Sequence, residues 1–251
     1  MTAVWVSLVA FACMFGGSLI GMVLHAYLPQ NHQSADTQRI VNLGAGIIGT
    51  MAALVLGLLI ASAKQSYDAQ YGELIGIAAK IDLLDRGLAL YGPEAQASRD
   101  MLRSDLDSAV EQLWPKVHTS QDSFHASETA PGLLYASIQT LTPQSDIQRA
   151  IKTQALAMVI QLAEQRQLIL EQKNSSVSKP LLAILIFALA LNFLCFGLFA
   201  PRNATVITVL GLCAVASAGA IFVMMELYHP FGGFIEIPST TLRSALAQLG
   251  S

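Results

Sequence analysis

The stretch IVNLGAGIIGTMAALVLGLLIASA, Ile40 to Ala63, contains no Asp, Glu, Lys or Arg, and Lys64 follows it without a helix breaker. A helix needs about 20 apolar residues to cross the ~30 Å hydrocarbon core of a bilayer. Inside that core every backbone amide must find its partner within the structure, which only helices and closed barrels achieve. Working outward, three more uncharged apolar stretches of spanning length appear: Ala3–Leu28, Pro180–Ala200 and Ala204–Met225. The expected fold is therefore all-α: four transmembrane helices, with a cytoplasmic helical stalk inserted between the second and third spans. The expected division is 1–63 as a first transmembrane hairpin, 64–179 as the helical insert, 180–225 as a second hairpin, and 226–251 as an interfacial loop with a short C-terminal helix.

Charge follows the same partition. Charged residues make up only 12% of the 251 positions, and fourteen of the seventeen acids and eleven of the fourteen Lys/Arg residues lie between Lys64 and Lys179. The net charge of −3 resides in that insert and offers no basic face for nucleic acid. Cys13, Cys195 and Cys213 all fall within predicted spans, without metal-ligand or disulfide spacing, and read as small apolar packing residues. The first span has no basic n-region and is too long for a signal h-region, so it is expected to stay in the mature protein. With four spans, Lys64, Lys80, Lys173, Lys179 and Arg243 share one side, against Arg39 and Arg202 on the other. The positive-inside bias then puts the insert and both termini in the cytoplasm.

The insert reads as helical. Tyr67, Tyr71, Leu74, Ala78, Ile81, Asp85 and Leu88 recur at alternating steps of four and three, the seam of a helix packing on helices. The second span is expected to continue through Lys64 as one rod, with Gly72 and Gly76 as places to bend. Gly92-Pro93-Glu94 ends the rod and starts a second helix, whose buried stripe includes Leu102, Leu106 and Leu113. His118–Thr129 reads as a polar loop, Gly132–Leu141 as a short helix, and Thr142-Pro143 opens a long helix with a seam from Ile147 and Ile151 through Val159 to Ile169. Asn174-Ser175-Ser176 marks a weak point before Pro180. The breaker-rich tail Tyr228–Pro238 suits the headgroup layer, and Ser239 is placed to cap a final short helix.

Small residues are the most legible feature of the spans. Asn42, Gly46, Gly49, Ala53, Gly57 and Ala61 recur at three or four along the second span, and Gly17-x-x-x-Gly21 marks the first. Such faces let helix backbones approach closely in lipid, where packing replaces the missing hydrophobic drive. The bland reading assigns Gly17, Gly21, Gly49, Gly57 and mid-span Asn192 to helix packing, with the Asn192 amide bonded to a neighbouring helix. The functional reading places the second span around an axis in an oligomer. Asn42, Gly46, Ile47, Thr50, Leu54 and Leu58 then line a narrow conduit, with an aliphatic constriction that gates by dewetting. Tyr67, Tyr71, Leu74, Asp85 and Arg86 are the candidate stalk or subunit contacts; Asp85, a charge on the seam, is placed to set register or bind a partner subunit.

No span carries a central ionisable residue, which weakens a proton-coupled carrier. Glu226-x-x-His229 occurs once, at a span's end, and reads as a solvated or headgroup-facing pair rather than a metal site. His25, His32 and Asp36 form no zinc pattern. Lys64/Asp68 and Asp82/Arg86 are helix-supporting i,i+4 pairs. HExxH, nucleophile-elbow and Walker signatures are lacking, so no enzyme, cofactor or metal is expected.

The segment Gly49–Lys64 with Ser66-Tyr67-Asp68 and Glu73-Leu74, then Leu84-Asp85-Arg86 with Tyr91-Gly92-Pro93-Glu94 and Arg99, and finally Pro230-Phe231-Gly232-Gly233, together resemble the bestrophin-like domain family of small bacterial multi-pass membrane proteins. That resemblance covers nearly the whole chain. It implies kinship to bestrophins, pentameric anion channels with four spans, cytoplasmic termini and an apolar neck lined by the second span. It also implies residence in the bacterial inner membrane. The chain departs in having no acidic cluster resembling the calcium clasp and no aromatic neck residues in the second span. Beside a lipid-embedded homo-oligomeric channel stands the alternative of a non-conducting scaffold or sensor, binding a cytoplasmic protein partner through the insert.

Overall fold

A computed structural model of the chain describes residues 2–27, 29, 34–114, 130–173 and 178–249. His32, the polar loop expected over His118–Thr129 and the weak point at Asn174-Ser175-Ser176 lie outside these residues. Among the described residues are eight α-helices: α1 (Thr2–His25), α2 (Ala35–Tyr91), α3 (Gln96–Leu113), α4 (Ala130–Thr140), α5 (Asp146–Lys173), α6 (Lys179–Leu198), α7 (Ala204–Leu227) and α8 (Thr240–Gln248). Four of them, α1, α2, α6 and α7, are long and apolar enough to cross a membrane. The second is an unbroken helix of 57 residues, and neither Gly72 nor Gly76 interrupts it. The chain divides into two compact units, Met1–Tyr67 with Ser176–Ile235, and Asp68–Ser175 with Glu236–Ser251.

In the first unit α1 packs on α6 and α7. Ala10, Met14, Ala214, Ile221 and Met224 are completely buried at its centre, with Leu185, Leu189 and Phe193 of α6 and Ala52 and Ala63 of α2 around them. Glycine decides how closely α1 and α6 approach. A Cβ on Gly17 would stand 2.9 Å from the Ala190 carbonyl oxygen; one on Gly21 would stand 2.8 Å from Leu198 N and closer still to the Leu194 carbonyl oxygen. From the other side, a Cβ on Gly197 would overlap the Ser18 carbonyl. These are contacts with rigid backbone, the geometry that a small-x-x-x-small face permits. At the end of α1, Arg202 Nη2 donates to the Met22 carbonyl at 2.7 Å, satisfying one of the acceptors a helix C-terminus leaves open. Cys13 and Cys213 are exposed and Cys195 half-buried. Cys13 and Cys213 lie on the outer faces of α1 and α7, whose Met14, Ala214 and Met224 are turned inward.

The second unit is built from the later part of α2 with α3, α4, α5 and α8. Leu74, Leu84, Leu88 and Ile138 are almost wholly buried in it. The chain leaves α2 through Gly92, whose φ of 126° favours glycine, and a 3₁₀ turn over Pro93–Ala95 leads into α3. Ser98 and Ser137 hydroxyls meet at 2.6 Å, tying α3 to α4. Lys152 Nζ donates to the carbonyls of Gln139 and Leu141 at 2.7 and 2.8 Å, a cation placed on the open acceptors beyond α4. Trp114 Nε1 donates to the Ile237 carbonyl at 2.9 Å. Two expectations change here. Ile147 is 73% exposed, so the seam of α5 starts at half-buried Ile151 and runs through Ala155 to the expected Val159 and Ile169. Ser239 makes no side-chain cap; its hydroxyl accepts from Arg243 Nε at 3.0 Å.

Candidate functional site

Helix α2 has two unlike faces along its apolar stretch. Ala45, Ala52 and Ala63 are 1%, 4% and 0% exposed, while Ile47, Leu54 and Leu58 are 60%, 69% and 71% exposed. These three alanines face the chain's own core beside half-buried Leu56, Leu59 and Ile60, while Ile47, Leu54 and Leu58 look out of it, which a helix built only to fill that core would not do. The physical reason is local. Alanines let α2 lie close to its neighbours in the first unit, and residues two positions further on emerge on the opposite side at 100° per step.

The outward face collects the candidate pore-lining set. Asn42, Gly46, Thr50, Leu54 and Leu58 follow one another at steps of four with Ile47 beside them, and all six are exposed. At 1.5 Å per residue this row extends about 24 Å, most of a bilayer's ~30 Å core. Nothing lies within 4 Å of a Cβ built on Gly46. Thr50 returns its hydroxyl to the Ile47 carbonyl at 2.9 Å, so the middle of the row holds no unpaired donor. The row begins polar at Asn42, is small at Gly46 and becomes bulky and aliphatic at Leu54 and Leu58. It carries no charge along its length.

The packing candidates separate. Gly17 and Gly21 meet α6 as described, and Gly49 meets Asn192, whose Nδ2 stands 2.6 Å from the place of a Gly49 Cβ. Asn192 is 6% exposed. Its Oδ1 finds no hydrogen-bond partner among the described residues, so it touches α2 by contact rather than through the interhelical bond expected of it. Gly57 is exposed with nothing within 4 Å of its Cβ position. The small stripe read along α2 is thus divided between faces, Gly49 inward and Gly46, Ala53, Gly57 and Ala61 outward.

Tyr67 packs at the edge of the first unit's core, with Lys64 Nζ 5.4 Å from its ring centroid. Tyr71 is half-buried, Leu74 is fully buried and Arg86 is exposed. Arg86 pairs with Asp82 at 2.9 Å, one turn back on the same helix. Asp85 is interior, and Arg99 on α3 grips it with two bonds, Nε at 2.8 Å and Nη2 at 2.9 Å. That fork answers the charge on the seam from within the chain. The Asp85 hydrogen bond holds the Arg99 guanidinium pKa above its usual value, against the opposing effect of burial. A buried acid on a hydrophobic seam demands a cation, and Arg99 on the helix after the Gly92 turn was the signal available for finding it.

Glu226 departs from the expected solvated or headgroup-facing pair. It is 4% exposed, not solvated, and its carboxylate accepts the backbone amides of Phe234 at 2.5 Å and Ile235 at 3.4 Å. The carboxylate occupies the space a Cβ on Gly233 would fill. The glycine of the Pro230-Phe231-Gly232-Gly233 motif is therefore a cradle for this acid. His229 is exposed and its Nδ1 lies 2.9 Å from the Met225 carbonyl, so the two residues do not act as a pair. Among the described residues no group of three His, Cys, Asp or Glu converges to hold a metal.

Comparison with known proteins agrees with the sequence resemblance. The family model for the bestrophin-like domain matches residues 9–242. Crystal structures of a bacterial bestrophin homologue from Klebsiella pneumoniae superpose over nearly the whole length. One, a point variant, has a TM-score of 0.72 at 15% identity, covering 99% of this chain and 97% of that one. Another, phased by Zn-SAD, has a TM-score of 0.68 at 15% identity, covering 96% of each. A structure described as a membrane protein gives 0.69 at 14% identity, again covering 96% of each chain. At such identities the likeness is one of fold. No curated protein matches the sequence.

Proposed function

The chain belongs to the bestrophin-like domain family, and from that premise we propose that it is an oligomeric ion channel of the bacterial inner membrane whose second span lines the pore. The observation carrying this reading is the outward row from Asn42 to Leu58, exposed and uncharged on a helix whose opposite face is packed. Copies arranged around an axis would bring these rows together. Asn42 and Thr50 offer polar groups along the path, and Leu54 with Leu58 form an aliphatic neck that closes by expelling water. The segment from Lys64 to Lys179 is the cytoplasmic stalk, with both termini on its side by the positive-inside bias. The absence of a charged residue on the row fits a dewetting gate better than an ion-coupled relay. This reading assigns the chain no catalysis.

Purified protein reconstituted in planar bilayers is expected to give unitary currents, and their reversal potential under a salt gradient reports whether anions are preferred. Leu54→Ser and Leu58→Ser are expected to raise unitary conductance or open probability. Silent bilayers containing verified oligomers, or serine variants indistinguishable from the native chain, would overturn the assignment.

A further inference from the structure

The second unit contains a cavity of about 90 Å³ between α2, α3, α4, α5 and α8. It lies in the unit's core: Leu74, Leu106, Leu134, Val159 and Ile169 on its wall are each at most 5% exposed. All but two of its lining residues are aliphatic, and those two are Asp105 and Arg166. Their side chains are 19% and 21% exposed and joined by a single contact, Arg166 Nη1 to Asp105 Oδ1 at 3.2 Å. By contrast the pair at Asp85 and Arg99 is a closed fork. The Arg166 contact engages Asp105 Oδ1, and Oδ2 accepts no hydrogen bond from the described residues.

We propose that this cavity binds a small neutral alcohol or phenol, its apolar body among the leucines and its hydroxyl donated to Asp105 Oδ2. The wall is aliphatic, and an apolar cavity of roughly 150 Å³ lined by Leu, Ile and Phe takes benzene. The smaller volume here limits the guest to a ring or short branched chain that extends toward the polar pair. Charge selects the head group. An anionic ligand would bring like charge against the Asp105 carboxylate, whose other oxygen accepts from Arg166. A hydroxyl donates to the carboxylate and leaves the ion pair standing. Burial pushes the Asp105 carboxyl above its usual range, with Arg166 opposing that rise; a desolvated carboxylate is a strong acceptor for such a donor.

The test is fluorine NMR of para-fluorophenol with the full-length chain in lipid nanodiscs, against empty nanodiscs for the lipid background. A saturable bound signal displaced by phenol is expected. Fluorobenzene and para-fluorobenzoate are each expected to bind about tenfold more weakly, the scale of one charge-assisted hydrogen bond or one uncompensated charge. Ala109→Trp, which fills the cavity, is expected to abolish the signal. Asp105→Asn, which keeps the side-chain shape, is expected to weaken binding about tenfold while circular dichroism remains native. Equal binding of fluorobenzene, tighter binding of para-fluorobenzoate, or a signal unchanged in both folded variants would overturn the proposal.

Discussion

Replacing Gly21 by alanine tests the helix crossing on which the first unit is built. The added Cβ would lie 2.8 Å from Leu198 N and 3.0 Å from the Gly197 carbonyl carbon, and nearer still to the Leu194 carbonyl oxygen. Those atoms are α6 backbone, so α6 must retreat by about half an ångström or more along the crossing, and overpacking of this kind costs about 1–3 kcal/mol. Alanine returns up to about 1 kcal/mol through helix propensity, which leaves a net loss of about 1–2 kcal/mol. The internal control is Gly16→Ala, one residue away on the same helix, where nothing lies within 4 Å of the new Cβ. Only the propensity gain applies there, so that variant is expected to match or exceed the native stability. Reversible unfolding in mixed micelles, titrated with a denaturing detergent and followed by circular dichroism, reads both. Two variants shifting equally, or a Gly21→Ala protein as stable as the native one, would show that α1 and α6 do not approach through these glycines.

Three further outcomes are expected. Asp85→Ala, which strands the Arg99 guanidinium in the second unit's interior, is expected to cost about 3 kcal/mol or more, and Asp85→Leu with Arg99→Met to restore most of it; denaturant midpoints decide, and a single-variant loss below about 1 kcal/mol contradicts a buried pair. Glu226→Ala is expected to accelerate hydrogen exchange at the Phe234 and Ile235 amides and to cost about 1–3 kcal/mol, with Glu226→Gln closer to native because a carbonyl acceptor remains. Exchange rates unaltered in Glu226→Ala would remove the contact. Because the Asp105 carboxyl is raised by burial above its ordinary value of 3.8, the folded chain holds that proton more tightly than the unfolded one. Stability from this group is therefore fully present below pH 3.8 and lost as pH rises through the raised value. The native-minus-Asp105→Asn difference in Tm should fall across that window, and a difference that grows with pH reverses the sign of the argument.

The four long apolar helices were legible because each is a local property, a run of apolar residues long enough to satisfy its own backbone in lipid. Continuation of α2 past Lys64 was legible for the same reason, since no breaker intervenes before Gly92. The Gly17 and Gly21 face announced a close helix contact but not its partner. The small stripe on α2 misled in part, because spacing of three and four spans a broad arc and cannot tell Gly49, against Asn192, from Gly57, which faces out.

By itself the sequence determined how many apolar helices there are, where charge concentrates and which helix carries the uncharged row. Tertiary structure alone decided which arc of α2 is packed, that Asp85 is met by Arg99 and that Glu226 is held by the amides of Phe234 and Ile235. The physical reason lies in the range of the interactions. Helix formation depends on neighbours within one turn, whereas burial of a side chain and pairing of a charge depend on which distant helix crosses it and at what separation.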